Sequence, residues 1–137
     1  FTALGEEIGW RGFMVWEFKK VMSFQTMAIV TGLIWAAWHW PGFIIGAETF
    51  PYERIIFFTL NAGPLGIVLA YIAIKSESLW PAAIMHAGLN MFLFTIFGGL
   101  NKGPEIASGS NTIGIFTAIV SIGLATYYLR RAKKEGL

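Results

Sequence analysis

From Phe24 to Ile45 the sequence contains no Lys, Arg, Asp or Glu, and Ile55–Ile74, Leu79–Leu100 and Thr112–Leu129 share this property. About 20 apolar residues of helix cross a hydrocarbon core, where backbone groups must satisfy one another within helices or closed barrels. Uncharged runs of this length predict an all-α fold, a polytopic transmembrane helical bundle with about four clear spans. A fifth helix, from about Phe1 to Phe18, carries charge in an apolar context and reads as a spanning or half-inserted segment. The chain is 55% hydrophobic and 13% charged, against roughly 25% charged in ordinary soluble domains.

The basic residues set an expected orientation. Lys19 and Lys20 precede the first clear span, Lys75 separates the second from the third, and Arg130, Arg131, Lys133 and Lys134 follow the last. If the spans alternate, these lie on one side. Arg54 and Lys102, with Glu48, Glu53 and Glu105, lie on the other. The positive-inside rule then places the C-terminus in the cytoplasm, and the expected location is the plasma membrane of a prokaryote. Trp40, Tyr52, Trp80, Tyr127 and Tyr128 fall near span ends, as interfacial aromatics do. The net charge of +2 is not gathered into a basic stripe, so the expected partner is the lipid bilayer and not nucleic acid.

Cysteine is absent, which excludes a disulfide framework, a thiolate nucleophile and a Cys-type zinc site. No long linker, repeat or low-complexity tract divides the chain, so residues 1–137 read as one membrane-embedded core. Because the sequence opens on Phe1 and directly in a helix, it is expected to be the C-terminal part of a longer protein. Gly5, Gly9 and Gly12 suggest a small-residue packing face, and Gly63-Pro64 predicts a kink in its span.

Ionisable groups inside a bilayer are costly and usually face a bundle interior or a water-filled cavity. Three polar clusters occur in such surroundings: Glu6, Glu7 and Arg11 in the first helix, His39 in the next span, and His86 with Asn90 in the third. Glu7 and Arg11 are spaced i,i+4 and share a helix face, whereas Glu6 points about 100° away and is left without an internal cation. His39 follows Trp35 by one turn. His86 and Asn90 share a face, and both can donate to an oxyanion. Taken singly, a Glu/Arg pair is a solvated helix end and a membrane His or Asn is interhelical glue. Together they comprise both histidines of the chain, so convergence is the stronger reading. The rise per residue puts Glu6 and Glu7 ~20 Å in from Lys19, His39 ~21 Å from Gln25 and His86 ~12 Å from Ser78. Helix tilt absorbs part of the resulting offset of ~9 Å, and the remainder has no account at this level.

The segments EEIGWR, WAAWH and HAGLN resemble the EExxxR, FxxxH and HxxxN motifs of the CPBP intramembrane protease family, which includes type II CAAX prenyl proteases and Abi proteins linked to bacteriocin immunity. The resemblance spans about Gly5 to Asn90. Trp35 stands where Phe is usual, a mild change on its face, and N-terminal spans expected in that family are missing. The resemblance implies that Glu6 with His39 activates water, that Glu7 and Arg11 brace the site, and that His86 with Asn90 stabilises the oxyanion. No Ser, Thr or Lys adjoins either histidine, which leaves water as the nucleophile. Two readings of the cofactor stay open. Glu6, His39 and His86 would suit a catalytic zinc, although HExxH is absent, while a carboxylate-activated water needs no metal. The expected function is an intramembrane endopeptidase acting on a membrane-associated peptide or prenylated protein. The alternatives are a catalytically silent immunity or scaffold protein and a proton-coupled transporter fragment.

Overall fold

The computed structural model describes residues 2–46, 51–92 and 112–137. The described chain is helical, with no strand. Helix α1 (Thr2–Gly9) passes through a π-helical turn (Trp10–Met14) into α2 (Val15–Lys19). Next come α3 (Phe24–Trp38) and α4 (Trp40–Ile45), then the long α5 (Pro51–Ser76), α6 (Trp80–Asn90) and α7 (Thr112–Lys134). The expected loop at 101–111 and the distal part of the third expected span, 93–100, lie outside the described residues.

Local chemistry explains most boundaries. Ser23 caps α3 by accepting the Thr26 amide on its hydroxyl, a common way to satisfy an orphan donor. Pro41 and Pro81 sit in the first turns of α4 and α6, where a missing N–H costs nothing. At the end of α5 the Ser78 amide reaches back to the Ala73 carbonyl while Glu77 adopts a left-handed φ of 50°, the closure of a Schellman turn. Gly136 and Leu137 repeat that closure after α7.

Helix α5 is the axis of the bundle, with α3 and α7 packed along it and α6 bridging it to α1. The α3–α5 crossing is backbone on backbone. A Cβ on Gly32 would lie 2.5 Å from the Gly63 carbonyl oxygen, and one on Gly66 would lie 2.6 Å from the Gly32 Cα. Such contact between small residues is how membrane helices pack without a hydrophobic driving force. Gly63 thus serves close approach, and α5 continues through Pro64 as one element. Of the expected packing face, only Gly12 meets a neighbour, Leu79; Gly5 and Gly9 face open space. These two line a groove instead.

Phe24–Ile45, interrupted only by a turn at His39, and Tyr52–Ser76 are long and apolar enough to cross a bilayer. The other two expected spans do not reach that standard among the described residues. The described length of α6 corresponds to only about 16 Å, and α7 ends in basic residues. Large apolar side chains such as Ile8, Phe13, Leu33, Trp38, Ile56, Ile84 and Ile119 face outward, which suits a lipid environment. One core cluster joins Val15, Phe24, Ile74 and Ala132, with Phe18, Met22 and Leu137 against it. The ends of α2, α5 and α7, which carry Lys19, Lys75 and Lys134, therefore meet around one core cluster.

Candidate active site

The three polar clusters converge. Helix α1 presents Glu6 and Glu7 in different directions, as successive helical residues must. Glu7 Oε1 accepts from Arg11 Nη1 at 2.8 Å and from His86 Nδ1 at 2.8 Å. All three residues are buried, Glu7 completely, Arg11 at 2% exposure and His86 at 3%. Arg11 stacks over the Trp35 ring at 4.5 Å and also approaches the Gly66 carbonyl at 3.5 Å. The brace thus links α1, the π turn, α6, α3 and α5. Glu7 Oε2 is the buried side-chain oxygen left without a hydrogen bond among the described residues.

Glu6 lies on the more open side. Its Oε2 accepts the Trp35 indole N–H at 2.8 Å and stands 3.9 Å from His39 Nε2, with Glu6 and His39 side chains 18% and 24% exposed. His39 occupies the break between α3 and α4, where the chain turns before Pro41. Its Nδ1 lies 2.9 Å from the Trp35 carbonyl. A carbonyl can only accept, so Nδ1 carries the hydrogen and Nε2 turns its lone pair toward Glu6. By the same argument His86 Nδ1 donates to Glu7, and Nε2 is its remaining reactive atom.

The Glu7–Arg11 pair matches the i,i+4 expectation. Sequence spacing missed the hydrogen bond from Trp35 to Glu6, although a Trp one turn before His39 was its visible signal, and missed the link from His86 to Glu7. Helical spacing within one segment carries no information about the partner on another. The unexplained depth offset closes because α1 packs directly on α6. Asn90, one turn beyond His86, is half-buried and makes no side-chain hydrogen bond among the described residues. Its amide is available as a donor.

The expected zinc set is Glu6, His39 and His86. Among the described residues no three of His, Cys, Asp or Glu form a group that could hold a metal ion. Around this set the Trp35 indole donates to Glu6 Oε2, His86 Nδ1 donates to Glu7, and the Trp35 ring packs edge-on against both imidazoles, at 5.8 and 5.1 Å between centroids.

A groove of about 730 Å³ runs along α1 and the π turn, lined by Glu6, Gly9, Trp10, Phe13, Phe18 and Trp38 among others. The more exposed carboxylate, Glu6, lies on its wall. The model of the type II CAAX prenyl endopeptidase Rce1-like family matches residues 1–92, the segment that holds every residue of this site. The chain belongs to that family. It is 28% identical over 98 residues to CAAX prenyl protease 2 of Methanococcus maripaludis, an alignment covering 66% of this chain and 36% of the relative. The chain thus spans about a third of that relative's length. No solved structure matches. Family membership and the two long apolar helices together make this an integral membrane protein.

Proposed function

We propose that the protein is an intramembrane endopeptidase that cleaves a peptide bond of a membrane-associated, CAAX-type substrate with a water activated by Glu6 and His39. The observation that carries this reading is the 3.9 Å separation of Glu6 Oε2 from His39 Nε2 in a partly exposed setting. That spacing is too long for a direct hydrogen bond and suits a water bonded to both groups. Deprotonated by Glu6, the water attacks the scissile carbonyl carbon, and the carbonyl oxygen becomes an oxyanion. Asn90 donates its amide N–H to that oxygen. His86 adds a second donor from Nε2 when its ring carries two protons. Collapse of the intermediate breaks the C–N bond, and the proton held on Glu6 passes to the departing amine.

The dry Glu7–Arg11–His86 group fixes the framework around this chemistry. The apolar groove beside Glu6 offers a lipid-facing route for a peptide held at the membrane. The Lys- and Arg-rich end of the bundle is assigned to the cytoplasm by the positive-inside rule, in a prokaryotic plasma membrane. The donor arrangement favours metal-free water activation, so metal analysis of the active protein should find substoichiometric zinc. Cleavage of a prenylated CAAX peptide by the full-length protein in a bilayer, lost in Glu6→Ala, tests the whole reading. Equal cleavage by Glu6→Ala overturns it, and no cleavage by either favours an immunity or scaffold role.

A further inference from the structure

We infer that Trp35 is a positioning residue for the water-activating pair, holding Glu6 through its indole N–H and His39 through its backbone carbonyl. This rests on the proposed role of Glu6, and it gives the Trp that stands here in place of Phe a donor that a phenyl ring lacks.

The geometry singles out this residue. The indole Nε1 donates to Glu6 Oε2 at 2.8 Å, and the Trp35 carbonyl accepts from His39 Nδ1 at 2.9 Å. One residue therefore orients both members of the pair. The indole itself has little freedom: Trp35 is 3% exposed, with Arg11 stacked over the ring and His86 edge-on at 5.1 Å. Gly66 lies so close that a Cβ there would stand 3.5 Å from Trp35 Cε3. An indole N–H can only donate, so the clamped ring presents a fixed donor to one carboxylate oxygen. Glu6 Oε1 has no hydrogen-bond partner among the described residues, so the indole is what fixes how the carboxylate presents Oε2 to a water between it and His39. A phenyl ring would fill much of the same space and keep the stacking on Arg11, yet would leave Glu6 free to change rotamer.

The positioning acts on geometry in the reacting complex, so its loss should appear in kcat and leave KM and folding nearly unchanged. The test uses the full-length protein in nanodiscs. Benzothienylalanine at position 35, which keeps the shape of indole and replaces N–H by sulfur, should lower kcat by ~10- to 100-fold. KM should stay within about twofold and the melting temperature should match wild type. A second readout needs no turnover. The Trp35 indole ¹⁵N–¹H resonance, identified by its loss in Trp35→Phe, should shift upfield in Glu6→Gln, where a neutral amide replaces the carboxylate acceptor. Wild-type kcat in the benzothienylalanine protein, or an unmoved indole resonance in Glu6→Gln, overturns the inference. Full activity of Glu6→Ala in the same assay would instead sink the water-activation reading, while the resonance still decides whether the indole holds this carboxylate.

Discussion

Glu6 faces His39 and Glu7 faces His86, so adjacent residues of α1 supply two carboxylate–imidazole pairs made of the same groups. Their settings differ. Glu7 is fully buried, bonded at 2.8 Å to both His86 and Arg11, whereas Glu6 is partly exposed, 3.9 Å from His39, and pairs with no lysine or arginine among the described residues. A closed pair with a permanent counter-charge can resist displacement but leaves no gap between its members for a water. An open pair held apart by a neighbouring indole can admit one. Residue type alone does not assign these roles; burial and separation do.

The largest test of this contrast removes the buried member. Glu7→Ala leaves Arg11 and His86 without their shared acceptor, and breaking a buried pair in this way costs about 3–5 kcal/mol. Thermal unfolding in detergent should drop accordingly, with activity lost alongside. A Glu7→Ala protein that melts with wild type would remove the basis for calling this pair a brace. Glu6→Ala is expected to do the reverse. Kinetics should show a ~10²–10⁴-fold fall in kcat, the range for a general base, with the melting temperature nearly unchanged.

A gentler perturbation moves one pair and spares the other. Gly32→Ala would press a Cβ against the Gly63 carbonyl and push α3 off α5, at about 1–3 kcal/mol for overpacking. Because α3 carries Trp35 and leads directly into His39 but bears neither Glu7 nor His86, peptide cleavage should fall while the His86 Nδ1–H proton keeps its chemical shift. Movement of that proton resonance would show the pairs to be mechanically coupled.

The smallest expected effect comes from a third carboxylate at the basic end. Glu135 is bound by Arg131 at 2.8 Å, Lys75 at 3.0 Å and the Tyr71 hydroxyl at 2.9 Å. Arg131 first, then Lys75 and Tyr71, hold its carboxyl down at about 2, below an ordinary 4.5. A depressed carboxylate contributes stability above its unfolded value and loses it as the pH falls toward the folded one. The stability difference between wild type and Glu135→Gln should therefore be constant above about pH 4.5 and shrink toward pH 2. Solvent screening keeps it small at this exposed site. Melting curves over that range check it, and a difference growing with acid would contradict the assignment.

The sequence made the all-helical class legible because charge-free runs of span length leave few alternatives. Glu7 and Arg11 could be paired from their spacing, since both lie on one helix. The limits are equally physical. Spacing makes His86 and Asn90 neighbours on one face but does not reveal that His86 turns its Nδ1 to Glu7. Gly5 and Gly9 have the spacing of a packing face, yet packing falls to Gly32, Gly63 and Gly66, whose contact depends on how two distant spans cross. Trp35 shows the same limit. Its ring could be placed beside His39 by spacing, but the target of its N–H lies on another helix.

The π turn at Trp10–Met14 has no signature in residue pattern, and it sets the rotation of the helix bearing both carboxylates relative to α2. Such a turn threads one residue more than an α-helical turn through the backbone, and one residue corresponds to ~100° of rotation. The same angle separates Glu6 from Glu7. Insertions or deletions confined to this short segment would therefore act as a rotary selector between the two carboxylates, exchanging the sealed one for the reactive one while leaving both residues unchanged.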